Sequence, residues 1–434
     1  RVMTLSRRQL LRVGAVSTGV SVSGWLGRLA AAAEPNPRRS VILLWMAGGP
    51  ATIDLFDLKP GHANGGPFRP VDTTAPGLRI GEHLPGVAMH GTRLAVLRGM
   101  STKEGDHGRG TYLMRTGVVP SAAGIQYPSL GALVSKEIGD PANELPNFVS
   151  IAPQRFFSQE AYSSGFLGPQ HAPLIVGDGQ FNANVPDVDN VLRVQDLARP
   201  RGVTEEAGLS RLDLLRGVHD DFAATHPGAM TRAHGSAYDR AVRLMRSDGG
   251  KVFDLTEERA NVRDAYGRNL FGQGCLLARR LVERGVAFVE VTLGGWDTHN
   301  NNFDQVRTLC GTLDRAWAQL MHDLKDRGLL DRTTVVWAGE FGRTPRINPQ
   351  RGRDHFASAW STVVAGGGVK GGQAVGRTSA DGMTVEDRPV SAADFLATLC
   401  RVVGVDPEKT NMSNVGRPIP LADRGANPVT EVVA

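Results

Sequence analysis

Asp297 and His299 stand two residues apart in GGWDTHNNNF, just after the apolar run VAFVEVTL. A carboxylate and an imidazole at the end of a rigid strand are donors that a divalent cation takes, and His355 in GRDH offers a second imidazole. Asp297, His299 and His355 would make a mixed oxygen and nitrogen site suited to zinc or manganese. Asn301 and Asn302 either add neutral oxygens or cap a helix that starts near Phe303. Other apolar runs also end in polar groups. Asp54 and Asp57 lie in GGPATIDLFD, and Asp106, His107 and Arg109 in STKEGDHGRGTYLMRTG. Glu340 and Arg343 lie in GEFGRTP, and Arg353 and Asp354 precede His355. Arg109, Arg343 and Arg353 suit bidentate binding of an anionic group, with a surface or interdomain salt bridge as the plainer alternative. His107 is open to three readings: metal ligand, nucleophile or structural histidine.

These groups are far apart in sequence and need a scaffold that gathers them. SVILLWMAGG at Ser40–Gly49 is a continuous apolar run of the kind that fits a parallel strand buried on both faces. Arg93–Met100, FVSIA near Phe148, LIVG near Leu174, the run before Gly294, Thr333–Gly342 and Ser361–Gly368 read as further strands. Helical patterns alternate with them over Tyr127–Gly139, roughly 205–223 and 230–284, and 303–327. In the last, Val306, Leu309, Leu313, Trp317, Leu320 and Leu324 recur at steps of three and four and make one apolar stripe. The alternation predicts an α/β fold with a doubly wound, mostly parallel sheet flanked by helices. Ligands of open α/β sheets sit beyond the carboxyl ends of the strands, which is where these clusters fall. Residues 150–255 are less regular and are expected to form an insertion or cap on a main domain spanning 40–434.

The net charge of +5 does not indicate nucleic-acid binding, because the five arginines among residues 1–33 account for all of it. No dense basic stripe appears elsewhere. SRRQLL, a mildly apolar stretch and Ala30–Ala33 resemble a twin-arginine export signal over 1–33, followed by a linker at 34–39. A periplasmic or extracellular protein is therefore expected, with no membrane span once the signal is removed. The three cysteines show no zinc-binding spacing.

GGPATIDLFDLKPG, the H-x-x-G-x-Y-x-M-x-T-G pattern from His107, GWDTH-x-x-N, and GEFGRTP followed by GRDH together resemble the DUF1501 family over nearly the whole chain. That family looks like a branch of the alkaline phosphatase and sulfatase superfamily. The resemblance implies a doubly wound sheet with one or two divalent metals at the strand ends, and hydrolysis of sulfate or phosphate esters. It implies an anionic small-molecule or polysaccharide ester as substrate and says nothing of oligomeric state. By the same resemblance, Asp297, His299 and His355 hold the metal, with Glu340 and Asp54 as further carboxylate ligands. His107 is a ligand or nucleophile, and Arg109 and Arg343 face the anion.

The chain also departs from the superfamily pattern. Ala47 and Gly48 stand where the first strand usually ends in Asp, Phe341 stands where a His is usual, and His107 occupies the place of the hydroxyl or thiol nucleophile. These departures leave a second expectation beside the hydrolase: a non-catalytic, exported metal- or anion-binding protein on a degenerate hydrolase scaffold.

Overall fold

The computed structural model of the chain describes residues 39–434 except 121–123, 179–183, 198 and 247. The expected export signal lies outside the described residues, as does all of the linker but Arg39. An eight-stranded sheet organises the chain. Its strands are β1 (Ser40–Met46), β2 (Leu94–Met100), β3 (Phe148–Ile151), β4 (Leu174–Val176), β5 (Phe288–Leu293), β6 (Thr333–Ala338), β7 (Trp360–Gly366) and β8 (Gln373–Val375). They lie side by side in the order β8-β2-β7-β6-β1-β5-β3-β4. All neighbours pair in parallel except β7, which runs against both β2 and β6. The sheet is thus mixed and mostly parallel, as the alternating pattern predicts.

β1 is central, and all seven of its residues are buried. Its side chains alternate between two apolar layers. Ile42, Leu44 and Met46 join one layer, which holds the helices α5 (Leu270–Glu283) and α6 (Asn302–Asp326). Val41, Leu43 and Trp45 join the other, with α1 (His107–Thr116), α2 (Leu130–Glu137) and α7 (Ala392–Val402). Parallel strands need helices on both faces, so a run without polar alternation is what the position of β1 demands. The stripe on α6 behaves as its spacing predicts. Val306, Leu313, Trp317, Leu320 and Leu324 are buried, each side chain contributing about 1.5–3 kcal/mol relative to exposure.

The helical stretch expected over 230–284 is not continuous. It divides into α4 (Ala229–Arg246), short 3-10 turns, a helix at Ala260–Tyr266 and α5. Gly249, Gly250 and Gly267 break the run, because glycine is costly inside a helix. The helix α3 (Glu205–Thr225) matches its expected span and has no buried residue. Among the described residues, no helix is long and apolar enough to cross a membrane.

β1, β5 and β6 end level with one another. Met46 pairs with Leu293, and Trp45 with Ala338. Three loops therefore leave the same rim, which the end of β2 also reaches, Met100 lying opposite Trp360. The segments after β2, β5 and β6 carry the cluster described next, and the loop after β1 packs against it.

Candidate metal centre

The loop after β1 depends on glycine. Gly48 has φ +113°, and a Cβ there would sit 2.5 Å from the backbone nitrogen of Asp297. Only glycine allows the loops after β1 and β5 to meet so closely. The Gly48 N–H donates to Oε1 of Glu340 at 2.9 Å, so the bare backbone here anchors the neighbouring loop. Ala47 and Gly48 thus serve as a backbone platform, not as a missing ligand.

Asp297 follows the end of β5, and its carboxylate meets three imidazoles. Its Oδ1 lies 3.0 Å from Nε2 of His299, 3.2 Å from Nε2 of His355 and 3.4 Å from Nε2 of His107. The Nε2 atoms of His299 and His355 are 3.1 Å apart. The proposed ligand atoms of His107, Asp297 and His355 all lie within 4.8 Å of one another.

Each ring is held from its far nitrogen. Nδ1 of His107 faces Oε1 of Glu340 at 2.7 Å, Nδ1 of His299 faces Oδ1 of Asp354 at 2.7 Å, and Nδ1 of His355 faces the carbonyl of Gly105 at 2.7 Å. An acceptor at Nδ1 keeps the proton there and leaves the Nε2 lone pair of a neutral ring pointing inward. Nε2 of His107 is buried and has no hydrogen-bond partner.

Local structure explains why His299 and His355 meet. The segments 297–302 and 348–355 are zipped together: Arg353 N–H donates to the Thr298 carbonyl at 3.1 Å, Asn302 N–H to the Arg351 carbonyl at 3.0 Å, and Asn348 Nδ2 to the His299 carbonyl at 2.9 Å. His355 also sits in a two-residue hairpin opposite Arg343. His107 is the first residue of α1, whose N-cap Asp106 accepts from the Arg109 N–H at 2.9 Å. Phe157 stacks on the His107 ring at 4.6 Å, and Phe341 flanks it at 5.0 Å.

Charge is concentrated at Asp297. Burial opposes its ionisation, but His107, His355 and Arg343 outweigh burial and hold the carboxyl well below the ordinary range. Burial would lower His107, yet the carboxylates of Asp297 and Glu340 push it up to about 9. Without a cation in the cluster, His107 therefore carries the balancing positive charge at neutral pH.

The donor set fits a divalent metal. Ligand atoms about 2.0–2.1 Å from zinc stand roughly 3.4 Å apart at the corners of a tetrahedron. Oδ1 of Asp297 keeps separations of that size from all three Nε2 atoms, as do the Nε2 atoms of His299 and His355 from each other, while the compact set within 4.8 Å consists of His107, Asp297 and His355. Three oriented imidazoles, the Nε2 of one of them buried and without a hydrogen-bond partner, and one carboxylate together make a candidate cation site.

Several sequence expectations need correction. Asp54 does not join the cluster: its carboxylate is fully buried and bound bidentately by Arg353, with Nη2 to Oδ1 at 2.6 Å and Nε to Oδ2 at 2.8 Å. Asn302 Nδ2 adds a third bond to it at 2.7 Å. Asp54 thus ties loops together behind the cluster, and Arg353 is its salt-bridge partner, not an anion binder. Glu340 meets the cluster through His107: its Oε1 faces Nδ1 of that ring and accepts from the Gly48 N–H, while its Oε2 is buried with no hydrogen-bond partner. Arg109 points away and pairs with Glu104 through two contacts of 2.7 Å. Arg343 reaches Asp297, but it also donates to the carbonyls of Gly48, Gly49 and Arg353, so its guanidinium is engaged by the protein itself. Asn301 stands at the N-cap position of α6 with φ +45° and makes no side-chain cap bond, because asparagine tolerates the left-handed conformation that the turn needs.

The orienting roles of Asp354 and the Gly105 carbonyl were not read from the sequence. A visible signal for the first was the Asp directly before His355 in GRDH. The carbonyl left no signal at all.

A family model described as a protein of unknown function, DUF1501, matches residues 38–433. No curated protein matches the chain. Among solved structures, the chain is similar to the lipoteichoic acid synthase LtaP from Listeria monocytogenes, at a TM-score of 0.42 and 8% identity over 89% of this chain and 74% of that one. It is also similar to a protein of the alkaline phosphatase superfamily from Vibrio parahaemolyticus, at a TM-score of 0.40 and 11% identity over 85% of this chain and 67% of that one. A third is the PsFucS1 sulfatase from Pseudoalteromonas sp., at 0.38 and 14% identity over 87% of this chain and 70% of that one.

Proposed function

This chain belongs to the DUF1501 family, and from the cluster at the rim of its sheet we propose that it is a metal-dependent hydrolase of phosphate or sulfate esters. One observation carries the proposal: three imidazole Nε2 atoms face a single oxygen of Asp297, each ring oriented by an acceptor at its other nitrogen. In this reading Asp297, His107, His299 and His355 hold one divalent ion, zinc or manganese. Glu340, Asp354 and the Gly105 carbonyl orient the rings. The bound ion would supply Lewis-acid stabilisation of the ester oxygens and an activated water.

The chain's own residues have definite tasks. Glu340 keeps the proton of His107 on Nδ1, so its Nε2 serves as a ligand and not as a nucleophile. Arg343 neutralises Asp297 and pins it to the loop after β1. Asp297 is 44% exposed on its side chain, so the cluster opens to solvent and an ester can reach it. We assign residues 150–255 as an insertion that also lends β4 to the edge of the main sheet, and the export signal at 1–33 as the route to a periplasmic or extracellular location.

A second reading has an observation of its own. Arg109 and Arg343 are both engaged by protein groups, so neither is a free cation for the ester anion. A metal-binding protein without turnover, on a hydrolase scaffold, fits that fact. Elemental analysis of protein purified without chelator, followed by assays on aryl phosphate and aryl sulfate, separates the two. Bound metal with turnover that His355→Ala abolishes supports the hydrolase. Bound metal with no turnover across an ester panel supports the scaffold, and no bound metal sinks both.

A further inference from the structure

α3 runs for 21 residues and buries none of them. Its neighbour α4 is fixed to the body: Arg240 Nη1 donates to the Ala172 carbonyl at 2.9 Å, Arg243 Nη1 to the Pro141 carbonyl at 3.0 Å, and Leu244 is buried. α3 meets α4 through an ion pair of Arg216 with Asp239 at 3.5 Å. On α3, Leu214, Val218 and Phe222 are 70%, 60% and 53% exposed. Steps of four place the three on one stripe of the helix. One face of the Phe222 ring stacks on His226 at 4.3 Å, while Leu214 and Val218 stay open to water.

A single exposed apolar side chain is ordinary. Three in line on a helix that buries nothing are not, because helices in proteins draw most of their stability from packing an apolar face. Charge points to what covers this one. α3 carries five acids and two arginines, whereas a helix that lies on a membrane surface is rich in Lys and Arg on its polar face. Arg211 lies about one turn before Leu214, and Asp221 borders the stripe at its other end, beside Phe222. Among the described residues neither side chain has an ion-pair or hydrogen-bond partner. Opposite charges at the two ends of an apolar stripe are self-complementary. A two-fold axis at Val218 sets Leu214 against the second copy's Phe222, Val218 against Val218, and Arg211 within about one helical turn of the second copy's Asp221. Parallel helices would instead set Arg211 against Arg211.

We propose that a second copy of this chain docks on α3, the two helices antiparallel about Val218 and joined by two Arg211–Asp221 pairs. Such a contact uses the same patch on both copies, as a two-fold dimer requires. Three apolar side chains per copy fall short of a standard interface of about 800 Å² per partner, so the dimer is reversible. The inference is independent of the chemistry at the metal centre.

The test is sedimentation velocity on the full chain between about 1 and about 100 µM. The wild type is expected to pass from monomer to dimer over this range. Val218→Asp should raise the dissociation constant more than about tenfold with an unchanged circular dichroism spectrum. Arg211→Asp and Asp221→Arg should each weaken association alone, since each sets like charges against one another. An equimolar mixture of the two should associate again, because each copy then supplies the charge that the other lacks. A wild type still monomeric at about 100 µM, a dimer that survives Val218→Asp, or a mixture no more associated than its components overturns the proposal. A monomeric wild type that pellets with phosphatidylglycerol vesicles also overturns it, and assigns the stripe to a membrane surface.

Discussion

Nε2 of His299 lies 3.1 Å from Nε2 of His355, with the other nitrogen of each ring already facing an oxygen. Two inward lone pairs at that distance repel unless a proton or a cation lies between them. His355→Ala and His299→Ala are therefore expected to weaken zinc binding by more than about 100-fold, beyond what loss of an outer-shell partner costs. Competition with a chromogenic chelator measures this, and near wild-type affinity in both variants would sink the assignment.

Asp354 touches no proposed metal site directly and acts through His299. Asp354→Asn removes the charge but can still accept a hydrogen bond, so zinc affinity is expected to fall by about 10-fold and no more than about 100-fold. An unchanged circular dichroism spectrum should accompany the loss.

The elevated His107 sets a pH dependence. In the metal-free protein this imidazole titrates near 9, above its ordinary value of 6.5. Its pairing with Glu340 and Asp297 therefore stabilises the metal-free fold fully below 6.5, and that contribution is lost as pH rises through about 9. Metal binding runs the other way, since Nε2 must give up its proton. Zinc affinity is expected to rise about tenfold per pH unit up to about pH 9 and then level off. A flat profile between pH 6 and 9 would show that His107 is not a ligand.

Asp54 and Arg353 are both fully buried and bonded to each other. Removing one partner leaves an uncompensated charge, so Asp54→Ala should destabilise the fold by about 3–5 kcal/mol in chemical denaturation. Because the pair ties the loop of Arg353 to that of Asn302, weaker metal binding in this variant should track the loss of stability. Arg109→Ala, in contrast, is expected to leave both stability and metal affinity near wild type.

Much of this was legible in the sequence, for identifiable reasons. The runs of β1, β5 and β6 are rich in apolar, β-branched residues, interrupted in β5 only by Glu290 and Thr292, and each is soon followed by glycine, so the strands and the rim could be read from pattern alone. Asp297, His299 and His355 stood out because ligating residue types end a buried run or close a compact motif. Asp54 looked the same by that criterion, yet Arg353, 299 residues away, takes its carboxylate. Nothing local distinguishes a buried ion-pair partner from a metal ligand. Glu340 was placed at the right rim, but its contact with His107 could not be read, because a single rotamer decides what a carboxylate oxygen meets. The contacts of Phe157 and the Gly105 carbonyl depend on loop conformation, which periodicity does not encode.

The reversed direction of β7 has a further consequence. A parallel successor to β6 would have required the chain to cross to the opposite edge and come back. Instead, residues 339–359 never leave the rim between Ala338 and Trp360, and Glu340, Arg343, Arg353, Asp354 and His355 all come from this one uninterrupted excursion. The two strands that bracket the excursion stay paired whatever its exposed positions carry, so the chemistry of this half of the centre can diverge there while Arg343 and Arg353 keep the segment tied to the loop after β1.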